Sequence, residues 1–325
     1  MGNGSDWLVC QQTQLALAQL DPILRQLITT EDPQILEMAF HLITRGGKRL
    51  RPAILLTAAH FGNFDDSRLL RAAAAMELLH VASLYHDDIM DRAPARRGSV
   101  SANKRWGNTL AALAGTYLFA CSSAILTSLG DIPNQLASQA SANLCTGQLR
   151  EVENAYNLEL TEEEHLDILA CKTATLFELP CHLGAYLSGA STEDTATLIS
   201  YGHHIGLAFQ LADDALDLMG QASQMGKATG TDLREGIYTL PILRVLQQAG
   251  AAGEQLRSLL GQERLKDEDL GIVLELVRKN TGDVYALEIA QKHVRQAKEA
   301  LEVLPDNSAR RSLYHLANYV TIRSS

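Results

Sequence analysis

Apolar residues recur every three to four positions along almost the whole chain. That spacing belongs to amphipathic helices, not to alternating strands. It predicts helices over 13–28, 32–43, 52–60, 67–91, 108–129, 133–154, 161–188 and 192–220. Shorter ones follow over 238–247, 253–260, 266–278, 282–303 and 306–320. Asp32-Pro33 reads as a helix start, with Asp32 as cap and Pro33 at the first helical position. Asp65-Asp66 reads as turn and cap chemistry before Ser67, and Glu162–Glu164 as an acidic first turn after Thr161. Residues 221–237, with Gly226, Gly230 and Gly236, read as loop. No internal repeat or low-complexity linker divides the chain. The expectation is all-α: one large helical bundle over residues 1–325.

Leu110 to Leu129 carries no charge over a length sufficient to cross a bilayer. Small residues dominate it, so the expectation is a packed core helix and no transmembrane span. The five cysteines, Cys10, Cys121, Cys145, Cys171 and Cys181, show no C-x-x-C pair. They read as reduced thiols of a cytoplasmic protein. The N-terminal residues lack the pattern of a signal peptide.

The net charge of −10 and pI of about 5.5 argue against nucleic acid as a partner. An acidic chain that handles anions needs local cations, and two features supply the need. His86-Asp87-Asp88-Ile89-Met90-Asp91 and Gln210-Leu211-Ala212-Asp213-Asp214-Ala215-Leu216-Asp217 both contain D-D-x-x-D. Helical spacing puts Asp87 with Asp91, and Asp213 with Asp217, on one face each. Carboxylates crowded within apolar sequence repel one another unless cations sit among them. An all-oxygen donor set points to a hard ion such as magnesium, which completes its shell with water and substrate phosphate. Basic elements stand beside these clusters. Gly46-Gly47-Lys48-Arg49-Leu50-Arg51-Pro52 combines flexible backbone with three cations. Arg96-Arg97-Gly98 follows the first acidic cluster, Lys227 follows the second, and Lys172-Thr173 is polar within an apolar helix.

GGKRLRP, the run from His80 to Gly98, Lys172-Thr173, Phe209 to Asp217, and Lys227 to Gly236 occur in one order over residues 40–245. In that order the chain resembles the trans-isoprenyl diphosphate synthase family. The resemblance implies a bundle of the isoprenoid synthase type with a central substrate cavity, acting as a homodimer. It implies condensation of isopentenyl diphosphate with an allylic diphosphate. Asp87, Asp91 and Asp213 would bind magnesium, three ions with diphosphate present, with Asp88, Asp214 and Asp217 in support. The allylic diphosphate would meet Arg96 and Lys227, and isopentenyl diphosphate would meet Lys48, Arg51, His80 and Arg97. Lys172, Thr173 and Gln210 would flank the reacting carbons.

Three positions depart from the family's common pattern. Thr116 replaces an Asp, Ile237 replaces a second loop Lys, and Ser99 to Asn103 lacks the frequent Pro and His. Ile237 implies weaker allylic binding. Ala82 and Ser83, one helical turn before Asp87, are small where short-chain relatives carry a bulky floor. With Phe119 as a deeper stop, the expected product is C20 or longer.

Other readings compete. Glu77-x-x-His80 and Glu162-x-x-His165 have the spacing of di-iron bundles. A terpene cyclase on the same fold, or a non-catalytic subunit of a heteromeric synthase, would share the acidic clusters. The GGKRLRP loop and Arg97 argue for a second diphosphate and against the cyclase.

Overall fold

A computed structural model describes residues 6–218, 230–262 and 265–322 of the chain. In chain order the helices are α1 (Gln11–Ala18), α2 (Leu20–Leu27), α3 (Pro33–Ile43), α4 (Leu50–Ala58), α5 (Asp66–Met90), α6 (Ala102–Trp106), α7 (Asn108–Thr127), α8 (Asp131–Glu153) and α9 (Glu162–Leu169). A π-turn, Ala170–Ala174, leads into α10 (Thr175–Ser188). Then come α11 (Thr192–Leu218), α12 (Thr231–Arg234), α13 (Leu240–Leu246), α14 (Ala251–Leu260), α15 (Asp267–Lys279), α16 (Gly282–Leu301) and α17 (Ser308–Ile322). The only strands among the described residues are β1 (Ala95–Arg96) and β2 (Ser99–Val100), an antiparallel hairpin pairing Ala95 with Val100 and Arg96 with Ser99.

The all-α expectation holds, with local differences. Residues 13–28 form two helices, separated at Gln19, whose amide turns back to Ala16 and Leu17. Residues 161–188 are interrupted by the π-turn. The basic loop after Asp91 contains the hairpin, and α6 and α12 fall where loop was expected. Asp32 caps α3 as expected, accepting from the amides of Gln34 at 2.8 Å and Ile35 at 3.2 Å. Asp65 caps α5, and Thr161 with Glu164 closes a capping box on α9.

The described residues form two compact units. One draws on Met1–Ser141, Leu176–Ser200 and Ala300–Leu316, the other on Ala142–Thr175, Tyr201–Glu299 and Ala317–Ser325. In the first, α5 is the centre, packed chiefly by α7 and α4. Ala72 to Ala75 are all fully buried, so neighbouring backbones come close. Ser122 on α7 donates to the Ala75 carbonyl at 2.8 Å, and Tyr85 donates to the Met38 carbonyl. The Leu110–Leu129 segment is not the fully buried core helix expected. Alone among the described helices, α7 is long and apolar enough to cross a membrane, yet only 39% of its apolar window is buried. Leu113 on its outer face is 59% exposed.

In the second unit, Leu207, Leu211 and Ala215 of α11 face a core shared with Leu169, Ala174, Leu240, Ala286 and Ala290. This stripe sets the rotation of α11. It turns Asp213 and Asp217 off the core and leaves Asp214 at its edge.

Helix contacts this close depend on missing side chains. A Cβ at Gly184 of α10 would collide with the Leu55 carbonyl and crowd the Ala58 methyl of α4. Backbone cannot yield as a flexible side chain can. Gly184→Ala is therefore expected to destabilise the protein by about 1–3 kcal/mol, read as a lower urea midpoint. A midpoint unchanged from wild type would show that α10 and α4 separate freely.

Candidate active site

The two acidic clusters repeat one arrangement. Asp87 and Asp91 are half-buried and Asp88 is fully buried; Asp213 and Asp217 are half-buried and Asp214 is buried. The outer pair of each cluster stays accessible while the middle carboxylate turns inward. Asp88 continues the buried stripe of Leu78, Val81 and Tyr85 on α5. Its Oδ1 takes a fork from Arg96, Nε at 2.7 Å and a terminal nitrogen at 2.6 Å. Asn103 Nδ2 donates to the Asp88 carbonyl at 2.8 Å. Arg96, expected at a substrate phosphate, is thus engaged with Asp88. These carboxylates crowd the C-terminal turn of α5, the negative end of its dipole, where no basic residue of the helix offsets them.

The basic elements of the first unit form a compact knot around Glu77, which is 1% exposed. Its Oε1 accepts from Arg49 and, at 3.4 Å, from Arg97. Arg97 also donates to the carbonyls of Leu42 at 2.9 Å and Gly46 at 2.7 Å. Gly47, at φ 148°, makes room: a Cβ there would stand 3.0 Å from the Arg97 guanidinium carbon. Arg49 sits at φ 45° as the cap of α4, which aims its side chain at Glu77. Arg51 contacts His80 Nε2 at 3.2 Å and lies over the Phe177 ring at 5.1 Å. Burial lowers the Arg51 pKa to about 10, so it stays charged at neutral pH. Burial and the surrounding arginines hold His80 well below its ordinary value, so it offers a neutral imidazole. Arg51 Nε and His80 Nδ1 are buried without hydrogen-bond partners, as groups awaiting a ligand would be. Lys48 is exposed. Lys227 lies outside the described residues.

In the second unit the π-turn carries Lys172 and Thr173, and such turns recur at functional sites. Thr173 Oγ1 donates to Gln210 Oε1 at 3.1 Å, and Gln210 Nε2 donates to Asp214 Oδ1 at 2.8 Å. The structure therefore joins three residues assigned separately from sequence. Lys172 Nζ pairs with Glu151 of α8. Asp214 Oδ2 and His165 Nε2 are 3.9 Å apart, both buried without hydrogen-bond partners. Burial, with the fields of Asp232, Asp213 and Glu151, holds the Asp214 carboxyl well above the usual range. Burial lowers His165 to about 4. His165 is therefore neutral near pH 7, and Asp214 is pushed toward its protonated form. Residue patterns missed Glu151, and they offered Glu77 only as half of a di-iron motif and not as the anchor of Arg49 and Arg97.

The accessible donors of both clusters are carboxylate oxygens, which fit a hard divalent cation. No group of three His, Cys, Asp or Glu among the described residues is arranged to hold a metal unaided. The di-iron alternative finds no support. Glu77 is held by arginines, His80 by Arg51, Glu162 by the Tyr285 hydroxyl at 2.8 Å, and His165 faces Asp214. The residues proposed for product length are also placed. Ala82 and Ser83 are buried on α5, and half-buried Phe119 stacks on His86 with centroids 5.7 Å apart. Thr116 is exposed on α7.

The fold and these constellations define an all-α synthase of the isoprenoid type. The polyprenyl synthetase family model matches residues 32–277, and the chain belongs to that family. It is 37% identical over 303 residues to nonaprenyl diphosphate synthase of Mycobacterium tuberculosis, covering 92% of this chain and 90% of that one. It is 35% identical to geranylgeranyl diphosphate synthase of Saccharolobus solfataricus, covering 88% and 90%. The crystal structure of polyprenyl synthase from Caulobacter crescentus, complexed with calcium and isoprenyl diphosphate, superposes with TM-score 0.92 at 32% identity over all of both chains. The enzyme is a transferase, a prenyl diphosphate synthase.

The buried His165–Asp214 pair has a pH signature. Between about pH 6.5 and 4 the unfolded chain protonates His165 and the folded protein does not, so stability falls as pH drops. Asp214 has the opposite sign. Above 3.8 the folded protein keeps a proton that the unfolded chain loses, so stability rises as pH drops. The two offset each other in the wild type. Relative to wild type, Asp214→Asn is expected to lose stability from pH 6.5 to 4 and His165→Gln to gain it, by thermal melting. Parallel curves for all three proteins would refute the paired burial.

Proposed function

We propose that the enzyme condenses isopentenyl diphosphate with an allylic diphosphate to give a linear trans-prenyl diphosphate of C20 or longer. The observation that carries this reading is the repeated cluster geometry, two accessible aspartates flanking one buried aspartate in each. Asp87, Asp91 and Asp213 would hold magnesium, three ions with diphosphate bound, supported by Asp88, Asp214 and Asp217. When bound, magnesium supplies positive charge to the departing diphosphate. Arg96 and Lys227 seat the allylic diphosphate. Lys48, Arg51, His80 and Arg97 seat isopentenyl diphosphate, with His80 giving a hydrogen bond and the others charge.

Ionisation of the allylic C–O bond leaves a carbocation that the isopentenyl double bond attacks. Proton loss then restores an alkene, and the released diphosphate is the base. Thr173 Oγ1 and Gln210 Oε1, brought together by their hydrogen bond, direct oxygen lone pairs at the cation. Lys172 places a positive charge beside the leaving group. The carbocation must be kept from water for this chemistry to give an alkene.

The uncharged, half-exposed face of α7 supports a homodimer with a second copy covering Leu113. The cytoplasm is the proposed location.

Incubation with radiolabelled isopentenyl diphosphate, magnesium and allylic primers of several lengths tests the reading. Label should enter products of at least C20, and Asp213→Ala should lower incorporation by at least about 100-fold. Hydrocarbon release from the allylic substrate alone, without label uptake, would instead establish a cyclase.

Product length is read in the same assay. Ala82 is buried one turn from Asp87, so an aromatic ring there occupies space that a growing chain would fill. Ala82→Phe is expected to shorten the product by one or more isoprene units. An unchanged product distribution would remove Ala82 and Ser83 from the length-setting surface.

A further inference from the structure

α8 meets the π-turn at two residues one helical turn apart, Gly147 and Glu151. A Cβ at Gly147 would lie 2.6 Å from the Lys172 backbone nitrogen and 2.9 Å from its Cα. Only glycine lets the two backbones approach this closely. One turn on, Glu151 Oε2 accepts from Lys172 Nζ, with the two side chains 13% and 30% exposed. Gln148 Nε2 donates to the same oxygen at 3.2 Å, which restrains the carboxylate. From the other side, Gly206 of α11 lies against Ala174, where a Cβ would meet its Cα at 2.5 Å. The turn is thus clasped by glycines on two helices, with an acid at one edge.

We propose that Glu151 is a positioning residue for prenyl transfer, holding the Lys172 ammonium in place beside Thr173 and Gln210. The proposal rests on the prenyl-transfer reading above, in which Lys172 flanks the reacting carbons. A lysine side chain has four freely rotating carbons and strong hydration, so a free ammonium samples many positions. Placement matters here more than for most cations. Toward the departing diphosphate the ammonium stabilises the transition state; toward the allylic carbons it repels the forming carbocation. A displacement of about 1 Å at such a centre costs on the order of 100-fold in rate. Glu151 fixes the head of the side chain and Gly147 fixes its backbone, so Lys172 is located at both ends. Glu151 itself touches no reacting atom. Its negative field also reaches Asp214, which places it within electrostatic range of the Gln210–Asp214 pair.

A double-mutant cycle on the full-length enzyme separates positioning from general stability. Glu151→Gln is expected to lower kcat by about 10–100-fold while the KM for isopentenyl diphosphate moves less than about threefold. In a Lys172→Gln background, the same change should alter single-turnover label incorporation by less than about twofold, because the positioned group is gone. Gly147→Ala, which leaves both charges intact and pushes the backbones apart, should reproduce the kcat loss with KM retained. The idea fails if Glu151→Gln costs the same factor in both backgrounds. It also fails if Glu151→Gln or Gly147→Ala changes the melting temperature alone and leaves kcat untouched. Wild-type enzyme that incorporates no isopentenyl label would instead overturn the prenyl-transfer reading itself, a result the variants cannot mimic.

Discussion

Crowded negative charge is the constraint around which this protein is organised. Each D-D-x-x-D run sets three carboxylates within about one helical turn, where their mutual repulsion opposes the helix. On α5 the macrodipole adds to the cost, since the cluster occupies the negative end. The protein resolves the middle residue of each run differently. Asp88 meets the fork of Arg96. Asp214 takes its hydrogen bond from Gln210 instead, and burial pushes its carboxyl well above the usual range. The outer aspartates remain half-exposed carboxylates, the positions proposed above for an external cation.

Positive charge is handled with equal economy. Arg49 and Arg97 converge on one buried carboxylate, Glu77, while Arg51 keeps a nitrogen without a hydrogen-bond partner. Arginines packed together without Glu77 would repel one another and lower one another's pKa, as Arg97 already does to Arg51. Removing one partner from a buried ion pair costs far more than the pair contributes to stability. The arrangement therefore gains in fixed orientation what it loses in desolvation. Arg51 and the neutral His80 are left presenting donors in a direction set by the knot rather than by their own rotamers.

Much of this was legible in the chain and some was not, for identifiable reasons. The long helices follow from apolar spacing, and the caps at Asp32 and Thr161 from local side-chain chemistry, because both depend on residues within a turn of each other. The acidic and basic motifs announce themselves by charge against an apolar background. Glu77 does not, because its partners Arg49 and Arg97 lie 28 and 20 residues away and arrive from loops. The π-turn is equally hidden. Ala170–Ala174 has ordinary helical residues, and the extra residue in the turn is stabilised by Gly147 and Gly206 from other helices. The outer face of α7 was misjudged for a related reason, since composition shows that a helix is apolar all round but not which side is covered.

The π-turn links these themes. A regular helix from Thr161 to Ser188 would give consecutive residues 100° apart around one axis and could not serve two neighbours at adjacent positions so closely. The wider turn lets Lys172 reach Glu151 on α8 while Thr173 reaches Gln210 on α11. The two contacts have opposite chemistry, a cation on one side and oxygen dipoles on the other. A reaction that separates an anionic leaving group from a carbocation needs that polarity over a few ångströms. Under the proposed prenyl transfer, charge separation in the substrate would be matched by charge separation between neighbouring residues. The break in regular helix at Ala170–Ala174 is the feature that sets the two apart.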